Sequence, residues 1–345
     1  MGKKIKNNLP CVSIIIPCRN EEKYIGRCLD SLLANDYCKK SLEIIIVDGM
    51  SNDYTREIIK KYTQRYNFIK IIDNPKYIKP IALNLGIKAA SFDIIMRIDA
   101  HAVYASNYIS KLVAGLDKYK ADNIGGVRDT NYGNTILSKA IGVIISHPFA
   151  AGNAYHRTGI GSQKIREVDT VFCGCYRRKI FDRIGYFNEK LIRTQDREFN
   201  TRLIENGGKI ILDPSIRCIY FPRTKFKNYC KWNYLCAFWL YYARRFTKTK
   251  MLLIRNFIPL LFVGWHLIGL ILSILYPNLI PFILIPIIIY WGLVAFFSIK
   301  VAWKQKCLKI TPIMVILFGV THYGYGIGGI IGLLKAILLG KDIQK

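Results

Sequence analysis

The chain has 345 residues, room for one large domain or two modest ones, and is 51% hydrophobic while carrying 51 Lys and Arg against 23 Asp and Glu. That mixture excludes a uniformly water-facing protein: residues 251–345 hold one acid, Asp342, whereas 43 basic and 22 acidic residues lie in 1–250, a net charge of +21 there. So basic a surface attracts nucleic acid, anionic headgroups or phosphorylated substrates, but no RNP, zinc-finger or basic-zipper pattern supports the first.

From Val12 onward, short β-type runs alternate with helical stretches. The run 12–17 predicts a buried strand, and Asn20 is placed to cap a helix carrying Ile25, Cys28, Leu29, Leu32 and Leu33 on one face. Residues 42–48 predict a second strand, with a helix from Asp53 to about Tyr66; 68–73 a third, with a helix over 81–90; and 93–99 a fourth. Such alternation means an α/β fold with a mostly parallel sheet, which binds ligands beyond the carboxyl ends of its strands, where Asp48 and Asp99 fall. Residues 105–245 are less regular: helices are expected over 106–119 and 198–206, strands over 168–178 and 209–214, and a glycine-marked strand or turn at 125–128.

The last third changes solvent. Phe257–Tyr276 and Leu279–Ile299 carry no formal charge and are each long enough to cross a hydrocarbon core; Pro277-Asn278 makes them a tight hairpin. A third stretch, Ile310–Leu334, has six glycines with Thr321, His322 and Tyr323, and is expected to span as well. The four lysines and no acid of 300–309 place that loop in the cytoplasm, although a third span would put Lys335, Lys341 and Lys345 outside. The expected partition is therefore a cytoplasmic domain over 1–228, an interfacial amphipathic linker over 229–256 that mixes aromatics with cations, and a membrane domain over 257–339. No secretory signal precedes the first apolar run, and ten scattered cysteines without CxxC spacing suit a reducing compartment.

Three segments carry candidate chemistry. Pro17, Arg19 and Glu21 leave the first strand, and Asp48 and Asp53 flank the turn after the second; such acids accept hydrogen bonds from a pyrimidine or ribose, and equally serve as caps and turn formers. After the fourth strand comes Arg97-Ile-Asp99-Ala-His101, where a carboxylate and an imidazole two apart on an extended segment project the same way; that pair suits Mn²⁺, and the carboxylate with phosphate oxygens suits Mg²⁺. Asp196 stands at a helix entrance as cap or as general base, and Glu198 and Arg202 form an i,i+4 pair behind it.

The order SIIIPCRNE, IIIVDGMSNDYT, ALNLGIKAA with DIIMRIDAH, FCGCYRR and TQDREFNTRL resembles family 2 glycosyltransferases of the GT-A fold, over about residues 10–225, in the branch typified by the succinoglycan-biosynthesis glucosyltransferase. The resemblance implies a nucleotide-sugar donor with a Mn²⁺ or Mg²⁺ cofactor and inversion at the anomeric carbon. Asp48 would contact the base or ribose of a UDP-sugar, Asp99 the ribose and metal, His101 the metal in place of the usual second acid, and Asp196 would be the base. Pro17, Arg19, Glu21, Asp53 and Arg97 complete the expected donor pocket, with phosphate or acceptor contacts at Gly174, Arg178, Gln195 and Arg223. Gly49 stands where many members have Asp, and the QxxRW motif of processive synthases is not evident, which favours one sugar per encounter. The expected partners are a polyprenyl-diphosphate-linked saccharide and the plasma membrane, with the catalytic domain on its cytoplasmic side and no nucleic acid. Transfer directly to polyprenyl phosphate, or a membrane scaffold retaining a degenerate transferase domain, are the competing readings.

Overall fold

The computed structural model describes residues 9–152, 154–158, 164–222 and 224–342. The order of elements begins β1 (Val12–Cys18), α1 (Ile25–Leu33), β2 (Leu42–Asp48), α2 (Thr55–Arg65), β3 (Ile69–Asp73), α3 (Lys79–Ala89) and β4 (Ile94–Arg97). β1 and β2 are buried at every position, which is why Ile14–Ile16 and Ile44–Val47 read as unbroken apolar runs: helices cover both faces of a central parallel strand. β3, at the end of the sheet, is buried only at Ile69 and exposed at Lys70, Ile71 and Asp73. α3 presses so closely on β1 that a Cβ on Gly86 would stand 2.5 Å from the Ile15 side chain. Asn20 does not cap α1. It sits at φ +54°, its side chain accepts from the Asn52 amide at 3.0 Å, and α1 starts five residues beyond it, at Ile25.

β5 (Ala102–Tyr104), α4 (Tyr108–Lys118) and β6 (Asn123–Thr130) follow, then α5 (Ile136–Ile145), α6 (Pro148–Ala151) and α7 (Tyr155–Thr158). β7 (Arg166–Glu167), β8 (Phe172–Arg177), α8 (Lys179–Ile184), α9 (Gln195–Glu205) and β9 (Ile210–Tyr220) close this half of the chain. The strand order is β3-β2-β1-β4-β8-β6-β9-β5, with β7 also on β9; β1 to β4 are parallel, and β8 turns the sheet antiparallel. The α/β expectation holds: the sheet is mixed, parallel over β1 to β4 and antiparallel beyond them.

Contacts divide the chain into two compact units, Met1–Asp129 with Gly161–Tyr220, and Thr130–Ile160 with Phe221–Lys345. A linear partition at residue 228 therefore differs from the compact units, because α5 is an apolar helix whose partner is C-terminal. The second unit contains α10 (Phe226–Tyr242), α11 (Ile254–Leu275), α12 (Ile280–Lys304) and α13 (Thr311–Leu338). Its segments Ile254–Leu275, Pro277–Lys304 and Leu308–Leu338 are long and apolar enough to cross a membrane. α10 lies on α13 backbone to backbone: a Cβ on Gly328 would fall 2.4 Å from the Tyr234 carbonyl oxygen, and one on Gly332 2.3 Å from that of Phe238.

Candidate active site

In the first unit, the register brings the carboxyl ends of three adjacent strands together, since Cys18 pairs with Asp48 and Ile15 with Arg97. The loops after β1 and β2 are stitched to each other. The Asn20 amide donates to Ser51 Oγ at 2.9 Å, the Glu21 amide to Thr55 Oγ1 at 2.8 Å, and the Glu22 amide to Asp53 Oδ2 at 3.3 Å. Asp53 also accepts from the Thr55 amide at 3.0 Å; burial opposes its charge, but these hydrogen bonds hold its carboxyl below the usual range. Asp53 organises a turn.

Asp48 is wholly buried. Ser51 donates to it through its amide (3.0 Å) and hydroxyl (2.5 Å), and Arg56 at 2.7 Å. The carboxylate thus shapes the 49–53 turn, with no surface open to a ligand in this conformation. Pro17 pairs with Val47 beneath that turn. Arg19 lies over the Tyr77 ring at 4.5 Å, and its alkyl chain would stand 3.3 Å from a Cβ on Gly49. An Asp at position 49 would crowd Arg19, which gives a packing reason for the glycine.

Arg97 is the hub. Buried at the end of β4, its guanidinium stands 3.3 Å from Asp99 Oδ1 and 2.8 Å from Asp196 Oδ1. The second contact is an ion pair whose angle falls short of a hydrogen bond. Lys79, from the first turn of α3, meets the same Asp99 oxygen at 2.6 Å. Burial disfavours charge on Asp99, yet Lys79, Arg97 and His101 outweigh it and hold its carboxyl well below the usual carboxylate range. Burial likewise works against the Arg97 charge, and Asp196 and Asp99 overcome it and raise its pKa. Tyr104 fixes the Asp99 backbone: its hydroxyl accepts from the Asp99 amide at 3.0 Å and donates to the Asp99 carbonyl at 2.9 Å.

Asp99-Ala-His101 is a turn between β4 and β5, not the extended segment expected. Asp99 faces Lys79 and Arg97, and His101 places Nδ1 3.3 Å from Glu21 Oε1. The donors available to a divalent cation here are two carboxylates and one imidazole, and among the described residues no three His, Cys, Asp or Glu converge to hold an ion unaided. That set fits a cation shared with substrate phosphate oxygens, as hard divalent ions are often bound. Lys79 already occupies the Asp99 oxygen such an ion would take. Lys79→Gln should therefore tighten Mn²⁺ binding to the donor-free protein by roughly tenfold, equivalent to about 1.4 kcal/mol, read by the electron paramagnetic resonance of free Mn²⁺. Unchanged binding would show that Asp99 does not meet the ion.

Asp196 stands in the first turn of α9, a third exposed, behind Thr194 at φ +65°. The Glu198–Arg202 pair forms as expected at 3.0 Å, and Arg202 continues to the Ile184 and Tyr186 carbonyls, so α9 is anchored from behind. Gln195 is buried beside Asp196. Arg178 stands at the opposite end of β4, its amide on Asp93 and its guanidinium on the Ile87, Ala90 and Phe92 carbonyls, so its expected contact with phosphate or acceptor gives way to a structural role. Gly174 serves packing: a Cβ there would lie 2.4 Å from Asn123 Oδ1. Arg223 lies outside the described residues. Burial pushes the neighbouring Cys173 thiol up to about 12, so it remains protonated.

Residues 13–185 match the model of glycosyl transferase family 2. The chain belongs to that family. It is a glycosyltransferase, and the resemblance drawn from the motifs holds. It is 33% identical, over 64% of its own length and 70% of the relative's, to the dolichyl N-acetyl-α-D-glucosaminyl phosphate 3-β-D-2,3-diacetamido-2,3-dideoxy-β-D-glucuronosyltransferase of Methanococcus voltae. It is 27% identical to succinoglycan biosynthesis protein ExoA of Rhizobium meliloti, over 72% and 74% of the two chains. A mannosyltransferase of Pyrobaculum calidifontis, solved with GDP-Man and Mn²⁺, shares the fold at a TM-score of 0.57 with 18% identity, over 95% of this chain and 88% of that one. Lys79, Tyr77 and Arg56 were not among the residues singled out from sequence. Lys79-Pro80 marks a cation at the start of α3, but nothing local ties it to Asp99.

Proposed function

We propose that this glycosyltransferase moves one sugar from a UDP-linked donor to a lipid-linked saccharide, with inversion, at the cytoplasmic face of a membrane. The observation that supports it most is Arg97, which joins Asp99, on the donor side, to Asp196, on the acceptor side, through a single buried guanidinium. Asp196 takes the acceptor hydroxyl proton as that oxygen attacks the anomeric carbon. The bond from that carbon to the diphosphate oxygen breaks with its electron pair going to the diphosphate, and one in-line displacement inverts the centre. Arg97 and Lys79 offset the negative charge that gathers on the departing group. Asp99 and His101 would hold a divalent cation, which would supply further charge neutralisation there. Arg19, over Gly49 and stacked on the Tyr77 ring, presents a cation to the base.

The acceptor class is supported by the Methanococcus voltae relative, whose name specifies a dolichyl-phosphate-linked sugar acceptor, and by the apolar helices of the second unit. Screening UDP-, GDP- and dTDP-sugars with membrane lipid extract, with and without Mn²⁺, tests the reading. A lipid-borne saccharide longer by one unit, formed from a UDP-sugar, is expected. A monophosphoryl sugar would make the acceptor polyprenyl phosphate instead, and no turnover with any donor would sink the proposal.

A further inference from the structure

α13 has the length and composition of a transmembrane helix, but its neighbours do not follow the course of one. A helix that returned across the bilayer beside α12 would carry its end down to the hairpin tip at Pro277. The contacts run otherwise. Six residues separate the end of α12 from the start of α13, and by the end of its first half α13 lies on the middle of α12: Gly319 faces Trp291, and His322 Nδ1 is 3.1 Å from the Tyr290 hydroxyl. At its middle, the Tyr323 hydroxyl is 3.0 Å from His266 Nε2. Beyond that the neighbours move back up α11 towards its start: a Cβ on Gly326 would lie 2.4 Å from the Pro259 carbonyl oxygen, and one on Gly329 3.5 Å from Leu260. Its last turn reaches the end of α10, where Lys335 lies over the Tyr242 ring at 5.6 Å and the Asp342 amide donates to the Arg245 carbonyl at 2.8 Å.

The beginning and the end of α13 thus both lie near the open end of the hairpin, where α11 starts and α12 stops. Its nearest approach to the tip is at His266, ten residues short of Tyr276, or about 15 Å along the helix. The tip half of the hairpin is bare in agreement: Ile268, Ile271 and Ile274 of α11 and Phe282, Ile285 and Ile288 of α12 are all exposed. The most apolar windows of α11 and α12 are each 11% buried, against 44% for α13.

We propose that only α11 and α12 cross the bilayer, and that α13 lies along a single leaflet, across the mouth of the hairpin, with α10 beside it. This rests on the reading that the hairpin is inserted in a membrane. α13 keeps an apolar stripe for acyl chains, Ile316, Ile327, Ile331, Leu334 and Leu338, all exposed. An in-plane α13 also brings Lys335 and Lys341 to the side of Lys300, Lys304 and Lys309, at the headgroups of an anionic leaflet. Asp342 is the one acid between Phe221 and Lys345, and Thr130–Ile160 has none, so this face carries almost unopposed positive charge. The expectation of a third span, with its lysines on the wrong side, gives way to an arrangement without that conflict.

The test uses the full chain in right-side-out and inverted membrane vesicles. A C-terminal epitope tag is probed with antibody. Native Cys307, between α12 and α13, and a cysteine introduced by Asn278→Cys at the hairpin tip are probed with a membrane-impermeant maleimide, the labelled sites being assigned by peptide mass. The tag and Cys307 should react from one side and position 278 from the other. A tag that reacts together with position 278 would mean α13 spans, overturning the proposal while leaving the inserted hairpin intact. Position 278 reacting together with both others would remove the inserted hairpin itself, and the in-plane helix with it.

Discussion

Asp196→Asn is expected to lower turnover by roughly 10²–10⁴-fold, the usual contribution of a positioned general base, and to leave donor affinity within about threefold. The separation follows from the geometry. Asp196 is a third exposed, on the first turn of α9, and among the described residues its ion pair is with Arg97, which keeps Asp99 as a partner when Asp196 loses its charge. The substitution preserves size, and α9 is held from behind by Glu198 and Arg202, so the helix should not shift. Donor binding by isothermal titration and product formation with labelled nucleotide-sugar check the two halves. Turnover close to that of the unsubstituted protein would take Asp196 out of the reaction. A parallel loss of donor binding would place it in the donor pocket.

Most of the sheet was legible because its central strands are buried on both faces. Ile14–Ile16 and Ile44–Val47 have no polar interruption, and each run ends in chemistry-bearing residues. The misses arise where a local signal pointed away from the tertiary outcome. β9 runs from Ile210 to Tyr220, through an Asp213-Pro214 pair that reads as a strand end; beyond Pro214 it continues with Ser215, Arg217 and Ile219 exposed. α5 is a short apolar helix that sequence alone leaves unassigned, because its partner α13 is far along the chain. At the site, the acids were identifiable by their places at strand ends, but their pairing was not. Nothing local shows that Asp48 faces Arg56 and Ser51 and is closed to solvent, or that Lys79, twenty residues before Asp99, supplies its nearest cation. Those pairings depend on strand register, which brings Ile15 beside Arg97 and Cys18 beside Asp48. For α13, length and composition describe a span, while the glycines that let α10, α11 and α12 approach it set its course.

Arg97→Met should be the most damaging single change to the first unit, because it removes the buried cation between two carboxylates and leaves the shape nearly filled. Breaking a buried pair by deleting one partner costs about 3–5 kcal/mol, and the lower end applies because Asp196 is partly exposed and Lys79 remains on Asp99. The pH dependence gives the effect a signature. A carboxyl held below its ordinary pKa, as Asp99 is, contributes stability above that ordinary value and loses it as the pH falls towards its folded-state value. The folded-state value lies far below the ordinary carboxylate range, so the unsubstituted site should keep this contribution down to about pH 4. Without Arg97, the Asp99 carboxyl returns towards its ordinary pKa and is protonated earlier on acidification, so the stability gap should stay constant from about pH 7.5 to about 5 and narrow as the pH falls below about 4. Thermal unfolding of the detergent-solubilised chain, followed by far-ultraviolet circular dichroism, measures that gap. Arg97→Lys separates charge from geometry: one ammonium restores much of the stability, but it lacks the planar fork that reaches both carboxylates, and turnover should recover less than folding does. A gap independent of pH would mean that the loss comes from packing alone, and that Arg97 does not join the two sides of the site electrostatically.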